Sequence, residues 1–159
     1  MELDGLLGDL GGGSLDLITL DKGQFGANGT LPLGHLRLPD AVGGDIQKAG
    51  PLVEEQFAHH EWLKDIRGRT LFAVGGSWRT LARIFIEQTH YPIHIIDGFT
   101  MGYSDLRHLC QVLSGLSGLS GCRGCRGVSG VSGLRISENM ACIGSIVSDG
   151  SEVQLNGNC

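Results

Sequence analysis

Several features that commonly announce a function are missing from this chain. No apolar run reaches the length needed to cross a bilayer, so no transmembrane helix is expected and a membrane is not an expected partner. Basic charge is not in excess: 12 Lys and Arg stand against 17 Asp and Glu, for a formal net charge of −5. Without a basic field there is no general attraction for nucleic acid, which is excluded as an expected partner. Arg37, Arg67, Arg69, Arg79 and Arg83 could act locally, but most of them read as solvated surface. No cysteine precedes Cys110, which suits a reducing cytoplasm. Met1-Glu2-Leu3-Asp4 is acidic and runs straight into glycines, unlike a secretory signal. There is no nucleophile elbow, no Gly-x-x-x-x-Gly-Lys-Ser/Thr loop and no His-Glu-x-x-His helix.

Metal-ligand clusters are also scarce. His59 and His60 are neighbours, so on a helix they point about 100° apart and share a metal poorly. His90 and His94 have helical spacing, but Pro92 between them breaks a helix. Cys122-Arg123-Gly124-Cys125 has the form of half a zinc site, yet no second pair stands at a suitable distance and the pair arises from a repeated triplet.

What the chain has in abundance is glycine, 27 of 159 residues, and two clusters of it carry chemistry. The apolar run ending at Leu7-Gly8-Asp9-Leu10 leads into Gly11-Gly12-Gly13-Ser14, and a second apolar run opens at Leu15-Asp16-Leu17. This is the grammar of strand, tight turn and returning strand. Three residues without Cβ atoms let backbone N–H groups approach an anion closely. Asp9 stands at the strand end, where it can hold a hydrated cation beside that anion, and Ser14 adds a hydroxyl. A hairpin that uses glycine only for its backbone angles is the alternative, although an Asn-Gly or Asp-Gly pair is the commoner solution for a two-residue turn. Asp16 shares the face of Ser14; it is expected to face solvent, with a place on the polar side of the cleft as the alternative.

The second cluster repeats the pattern. Thr70 to Val74 is a short strand, Gly75-Gly76-Ser77 follows, and Trp78, Leu81, Ala82 and Phe85 then recur on one helical face. Ser77 is expected at the N-cap, with free N–H groups and the positive end of the helix dipole at the loop mouth. A plain strand-to-helix turn is the alternative for this loop taken alone.

These stretches, in this order, resemble the exopolyphosphatase/guanosine pentaphosphate phosphatase (Ppx/GppA) family of the actin-like ATPase superfamily. The resemblance runs through Gly8 to Leu17, Leu31-Pro32-Leu33-Gly34-His35-Leu36-Arg37-Leu38, Ala73 to Arg83, and Tyr91-Pro92-Ile93-His94-Ile95-Ile96-Asp97-Gly98-Phe99. It implies an α/β, ribonuclease H-like lobe that opens with an antiparallel strand meander and carries flanking helices. It also implies hydrolysis of a phosphoanhydride with Mg2+, the substrate being polyphosphate or guanosine pentaphosphate. Carried over residue by residue, Asp9 takes the acidic, magnesium-linked catalytic role, and Gly11, Gly12, Gly13 and Ser14 contact phosphate. Gly75, Gly76 and Ser77 form a loop toward a nucleotide or the far end of the substrate. The family also has another lobe with an Asp-Ile-Gly-Ser-Asn-Ser-type loop, and a water-activating glutamate in a Ser-Gly-x-x-Glu-Ala-type segment. Neither stands in this sequence. The chain is therefore expected to be the second lobe by itself, without the general base and without the basic channel that a polyanion would need. An exposed lobe face would favour pairing as a homodimer. A non-catalytic lobe that binds phosphate or nucleotide stays open as the alternative.

Along the chain, residues 5–20 read as two strands, Asp21 to Gly29 as a turn, and Thr30 to Leu38 as an extended piece with Pro32 at an edge. The spacing predicts one helix over Pro51 to Ile66, stopped by Gly68. A strand follows at 70–74, a helix at 77–89, an extended piece after Pro92, and a helix from about Asp105 to Leu113 capped by Ser104. From Gly115 to Gly133 glycine recurs at every third position in copied triplets. The absence of proline there argues against a collagen helix. The duplications look like slippage or a shifted frame in the coding sequence. Residues 1–113 are expected to form the lobe and residues 114–159 a low-complexity, poorly packed tail.

Overall fold

A computed structural model of the chain describes residues 3–45, 48–66, 68–115 and 152–155. Arg67, the Cys122–Cys125 pair and the glycine triplets beyond residue 115 lie outside the described residues.

β1 (Gly5–Leu10) and β2 (Leu15–Asp21) form an antiparallel hairpin in which Leu10 pairs with Leu15 and Gly5 with Leu20. Leu6, Leu10, Leu15 and Leu17 fall at alternate positions on one face and are buried there. Lys22 and Gly23, both at positive φ (49° and 77°), make a two-residue turn of the kind that matches strand twist. β3 (Gln24–Leu31) therefore begins where the sequence predicts a continuing turn. The difference has a simple cause. β3 lies at the sheet edge and most of its side chains are exposed, so it shows none of the alternation by which a half-buried strand is recognised. Pro32 follows the strand instead of sitting within it.

Past Pro32 the chain also departs from the extended piece predicted to Leu38. Leu33 and Leu38 are both fully buried, and Arg37–Ala41 forms a short helix, α1. The single helix predicted to Ile66 is divided in two. α2 (Ala49–Ala58) ends at His59, and a 3₁₀ segment covers Glu61–Ile66. The His60 N–H bonds the Phe57 carbonyl at 3.0 Å and Leu63 N–H bonds the His60 carbonyl at 3.0 Å, which tightens the path by i→i−3 bonding. The turn brings Trp62 and Leu63 against the core.

β4 (Thr70–Val74) pairs in parallel with β1, and α3 (Gly76–Thr89) leaves from its end. Trp78, Leu81 and Ala82 are buried as their spacing predicts, Phe85 packs against the core, and Ile84 and Ile86 join them. β5 (Thr100–Gly102) and α4 (Tyr103–Gly115) follow, with Leu106 and Leu109 buried. Ser104 lies within the first turn of α4 rather than before it.

The last described element is β6 (Glu152–Leu155), which inserts between β4 and β5. It runs parallel to β4 and antiparallel to β5. These four residues are thus part of the sheet, although they fall in the stretch predicted to be a poorly packed tail. Val153 and Leu155 alternate with Glu152 and Gln154 and are buried. The six-stranded order is β3-β2-β1-β4-β6-β5. The result is a mixed α/β lobe with flanking helices and an opening antiparallel meander, as the sequence implies. Among the described residues no helix is long and apolar enough to cross a membrane.

Candidate phosphate site at two glycine loops

The first loop closes with a hydrogen bond from Gly11 N–H to the Ser14 carbonyl, 3.0 Å. Its other carbonyls are held from below. Gly11 O accepts from the backbone N–H of His35 (3.0 Å), and Gly12 O accepts from Leu36 (2.9 Å) and Arg37 (3.3 Å). Gly34 makes this contact possible. A Cβ there would stand 2.3 Å from the Gly12 carbonyl oxygen and 2.4 Å from two backbone carbons of the loop. Because the carbonyls point into the 34–37 segment, the opposite edge of the loop is left to its N–H groups. No backbone acceptor is present among the described residues for the N–H of Gly12 or Gly13. Gly13 is exposed, and a Cβ on it would meet nothing. The loop is therefore an open set of amide donors, the arrangement that suits an anion.

Three polar side chains lie in one row beside it. Thr30, Asp16 and Asp9 occupy facing positions on β3, β2 and β1, since Asp16 pairs with both Thr30 and Asp9. Partners across a sheet share a face, so the Asp9 and Asp16 carboxylates are neighbours. Asp16 is half-buried, not turned to solvent. Its two oxygens accept hydrogen bonds from Ser14 Oγ at 3.0 Å and Thr30 Oγ1 at 2.5 Å. Asp9 stands at the end of β1 with its carboxylate against the second loop: a Cβ on Gly75 would lie 2.7 Å from Asp9 Oδ1.

That second loop turns on Gly75, whose φ of 108° is closed to ordinary side chains and which serves as the N-cap of α3. The cap is a glycine and makes no side-chain hydrogen bond, so the N-cap expected at Ser77 is displaced by two residues. Ser77 is instead within the first turn, and its Oγ contacts the ring of His35 at 3.2 Å. The N–H groups of the first turn have no intrahelical partner, and they follow Gly75, the residue against which the Asp9 carboxylate lies.

The structure thus brings Asp9, the Gly11–Ser14 loop and the Gly75–Ser77 loop to one end of the sheet. Sequence reasoning undervalued Asp16 and did not single out Thr30, Gly34 or His35. The register of β2 against β1 and β3 was the signal for the first two. Gly34 and His35 lie in a stretch that carries the family resemblance, but their roles were not read from it because their contacts cross the chain. The donor set fits magnesium: two adjacent carboxylates with hydroxyls nearby are the oxygen donors that ion takes. Among the described residues no three or more His, Cys, Asp or Glu side chains are grouped so that they could hold a metal ion by themselves. A site here would draw its remaining ligands from water and substrate.

The fold is a mixed α/β lobe that solved phosphatase structures share. It matches the crystal structure of an exopolyphosphatase from Cytophaga hutchinsonii over 97% of this chain and 54% of that one, with a TM-score of 0.73 and 16% identity. A Ppx/GppA family member from Aquifex aeolicus matches over 98% of this chain and 53% of that one, with a TM-score of 0.66 and 16% identity. An exopolyphosphatase-like protein matches similarly, at a TM-score of 0.65 and 16% identity. The chain spans about half the length of these structures, and at such identities what is shared is the fold. No protein-family model matches the chain, and no curated protein is significantly similar to it.

Proposed function

We propose that this chain is the phosphate-binding lobe of a phosphoanhydride hydrolase of the exopolyphosphatase/guanosine pentaphosphate phosphatase type. The observation that carries the reading is the row of Asp9 and Asp16 lying between two loops of free amide donors. Carboxylates beside an anion cradle are unfavourable unless a cation stands between them and the anion. A terminal phosphoryl group with magnesium satisfies all three. Magnesium, when bound, would neutralise charge on the transferred group. The chain's own contribution is positional. The amides of Gly12 and Gly13 hold the equatorial oxygens, Ser14 and Thr30 fix the Asp16 carboxylate, and Asp9 is aimed by its packing on Gly75. In the reaction water attacks the terminal phosphorus, the bridging P–O bond breaks, and the shortened chain leaves with the bridging oxygen. No residue of this chain is assigned to take the proton from water. That role falls to a glutamate of a companion lobe, as the resemblance implies.

The test is phosphate release from long-chain polyphosphate with magnesium, by the chain alone and with a first lobe added, each beside Asp9→Ala. Release that needs both the added lobe and Asp9 is expected. Release unaffected by Asp9→Ala would overturn the assignment. A second reading, a lobe that binds phosphate without turnover, rests on the fact that no residue of the site is assigned to take the proton from water. Binding of tripolyphosphate without release in any combination would select it.

A further inference from the structure

We infer that His35 is a positioning residue that locks the two glycine loops to each other. This rests on the proposed reading of those loops as one anion site. His35 is half-buried between them, and its Nδ1 lies 3.0 Å from the Gly11 carbonyl oxygen and 3.2 Å from Ser77 Oγ. A carbonyl oxygen only accepts, so a 3.0 Å contact requires the proton on Nδ1. In the opposite tautomer two lone pairs would face each other. The Nδ1–H is therefore a three-centre donor, shared between an atom of the first loop and an atom of the second. The backbone N–H of His35 donates to the same Gly11 oxygen at 3.0 Å, so one residue grips that carbonyl twice.

The tautomer has a chemical consequence. Ser77 Oγ accepts from the ring, which leaves its own O–H free to donate into the opening toward an anion. With the alternative tautomer Ser77 would spend its proton on the ring and present only lone pairs there. His35 thereby fixes both the separation of the loops and the direction of the Ser77 proton. It touches no reacting atom in this arrangement. Gly34 beside it packs flush on Gly12, which holds the backbone of His35 at the depth that this contact needs.

Side-chain geometry supplies a sharp test. The amide nitrogen of asparagine can stand where Nδ1 stands, whereas that of glutamine reaches the position of Nε2. Binding of tripolyphosphate with magnesium is measured for the whole chain and for His35→Asn, His35→Gln and His35→Ala, with thermal unfolding of each. His35→Ala and His35→Gln are expected to bind about tenfold more weakly, the scale of one charge-assisted hydrogen bond to an anion, while His35→Asn stays near the parent. Equal binding by the asparagine and glutamine variants, at equal stability, would overturn the proposal. A second measurement does not depend on any ligand. Two-bond 1H–15N spectra of the His35 ring are expected to show the Nδ1-protonated tautomer, and Ser77→Ala is expected to move both the ring signals and the Gly11 and Gly12 amides. A Nε2-protonated ring, or first-loop amides that ignore Ser77→Ala, would refute the lock. Failure of the parent to bind tripolyphosphate, with these spectra as expected, would refute the anion site and leave the lock standing.

Discussion

The carboxylate of Asp9 lies against the Cα of Gly75, so close that a Cβ at residue 75 would stand 2.7 Å from Asp9 Oδ1 and 3.1 Å from the Leu10 carbonyl oxygen. The end of β1 and the start of α3 are therefore fitted to each other at the one point where the acidic side chain must be aimed. Gly75→Ala tests this fit. The new methyl would meet backbone on one side and a carboxylate on the other, at a φ of 108° that strains any L side chain. A stability loss of about 1–3 kcal/mol is expected from the backbone conformation. Loss of magnesium-dependent tripolyphosphate binding should accompany it. Calorimetry and a binding titration on the same preparation check both, and binding that persists at full strength would show that Asp9 is not positioned by this contact.

Asp9 and Asp16 face each other across β1 and β2, so in the absence of a cation they repel. Like charges directly opposite are destabilising. Asp9→Asn is therefore expected to raise the melting temperature slightly in metal-free buffer of low ionic strength. The same variant should lose the stabilisation that magnesium and tripolyphosphate confer on the parent. That stabilisation would be about 2.7 kcal/mol at a hundredfold excess over Kd. Melting curves with and without the two additives read both signs at once. A variant that gains nothing without metal, or keeps the full ligand shift, would contradict the paired-carboxylate site.

How much of this was legible in the sequence follows from where each contact comes from. The two glycine loops are local: strand, glycines and the next element are contiguous, and the apolar spacing of Trp78, Leu81 and Ala82 fixes α3 without help from the rest of the chain. Asp9 and its loop could therefore be named in advance. Asp16 could not be valued, because its partners Ser14, Thr30 and Asp9 become neighbours only when three strands adopt one register. β3 was hidden for the opposite reason. Phe25 is 75% exposed and the strand buries little but Leu31, so there was no pattern to see. The break of α2 at His59 reflects packing of Trp62 on the core, which propensity does not report.

Gly34 joins the candidate site to the rest of the lobe. A methyl at that position would overlap the Gly12 carbonyl group and the carbonyl carbon of Gly13, all of it backbone, which cannot swing aside as a long side chain can. Gly34→Ala must push the 34–37 segment off the glycine loop and break its bonds to Gly11 O and Gly12 O. With each net hydrogen bond contributing about 0.5–1.5 kcal/mol, a loss of about 2–4 kcal/mol is expected. Denaturant unfolding gives the value. Gly50→Ala is the matched control, since a Cβ there meets nothing and the residue lies in α2. Equal stability of the two variants would show that the loop does not rest on Gly34.

β6 is the least expected part of the lobe, and its loss should matter most. Leu155 is buried, its N–H bonds the Phe99 carbonyl at 2.8 Å, and its carbonyl accepts from Gly98 N–H at 2.8 Å. β5 pairs with no strand except β6 among the described residues, and β4 reaches β5 only through it. Leu155→Ala would leave a cavity among the core residues of the sheet, and a cost of about 2–5 kcal/mol is expected for a buried leucine. Ending the chain at residue 151 should do more. It would strip the hydrogen-bonding edge from β4, release β5, and expose Leu71 and Ala73 beside a bare strand edge, a combination that promotes association between chains. Size-exclusion chromatography and urea unfolding distinguish the outcomes. The leucine variant should remain monodisperse with a lower midpoint, while the truncated chain should aggregate or fail to show a cooperative transition. A truncated chain that unfolds cooperatively at the parent midpoint would mean that β6 is an accessory to the sheet and that the lobe closes at α4.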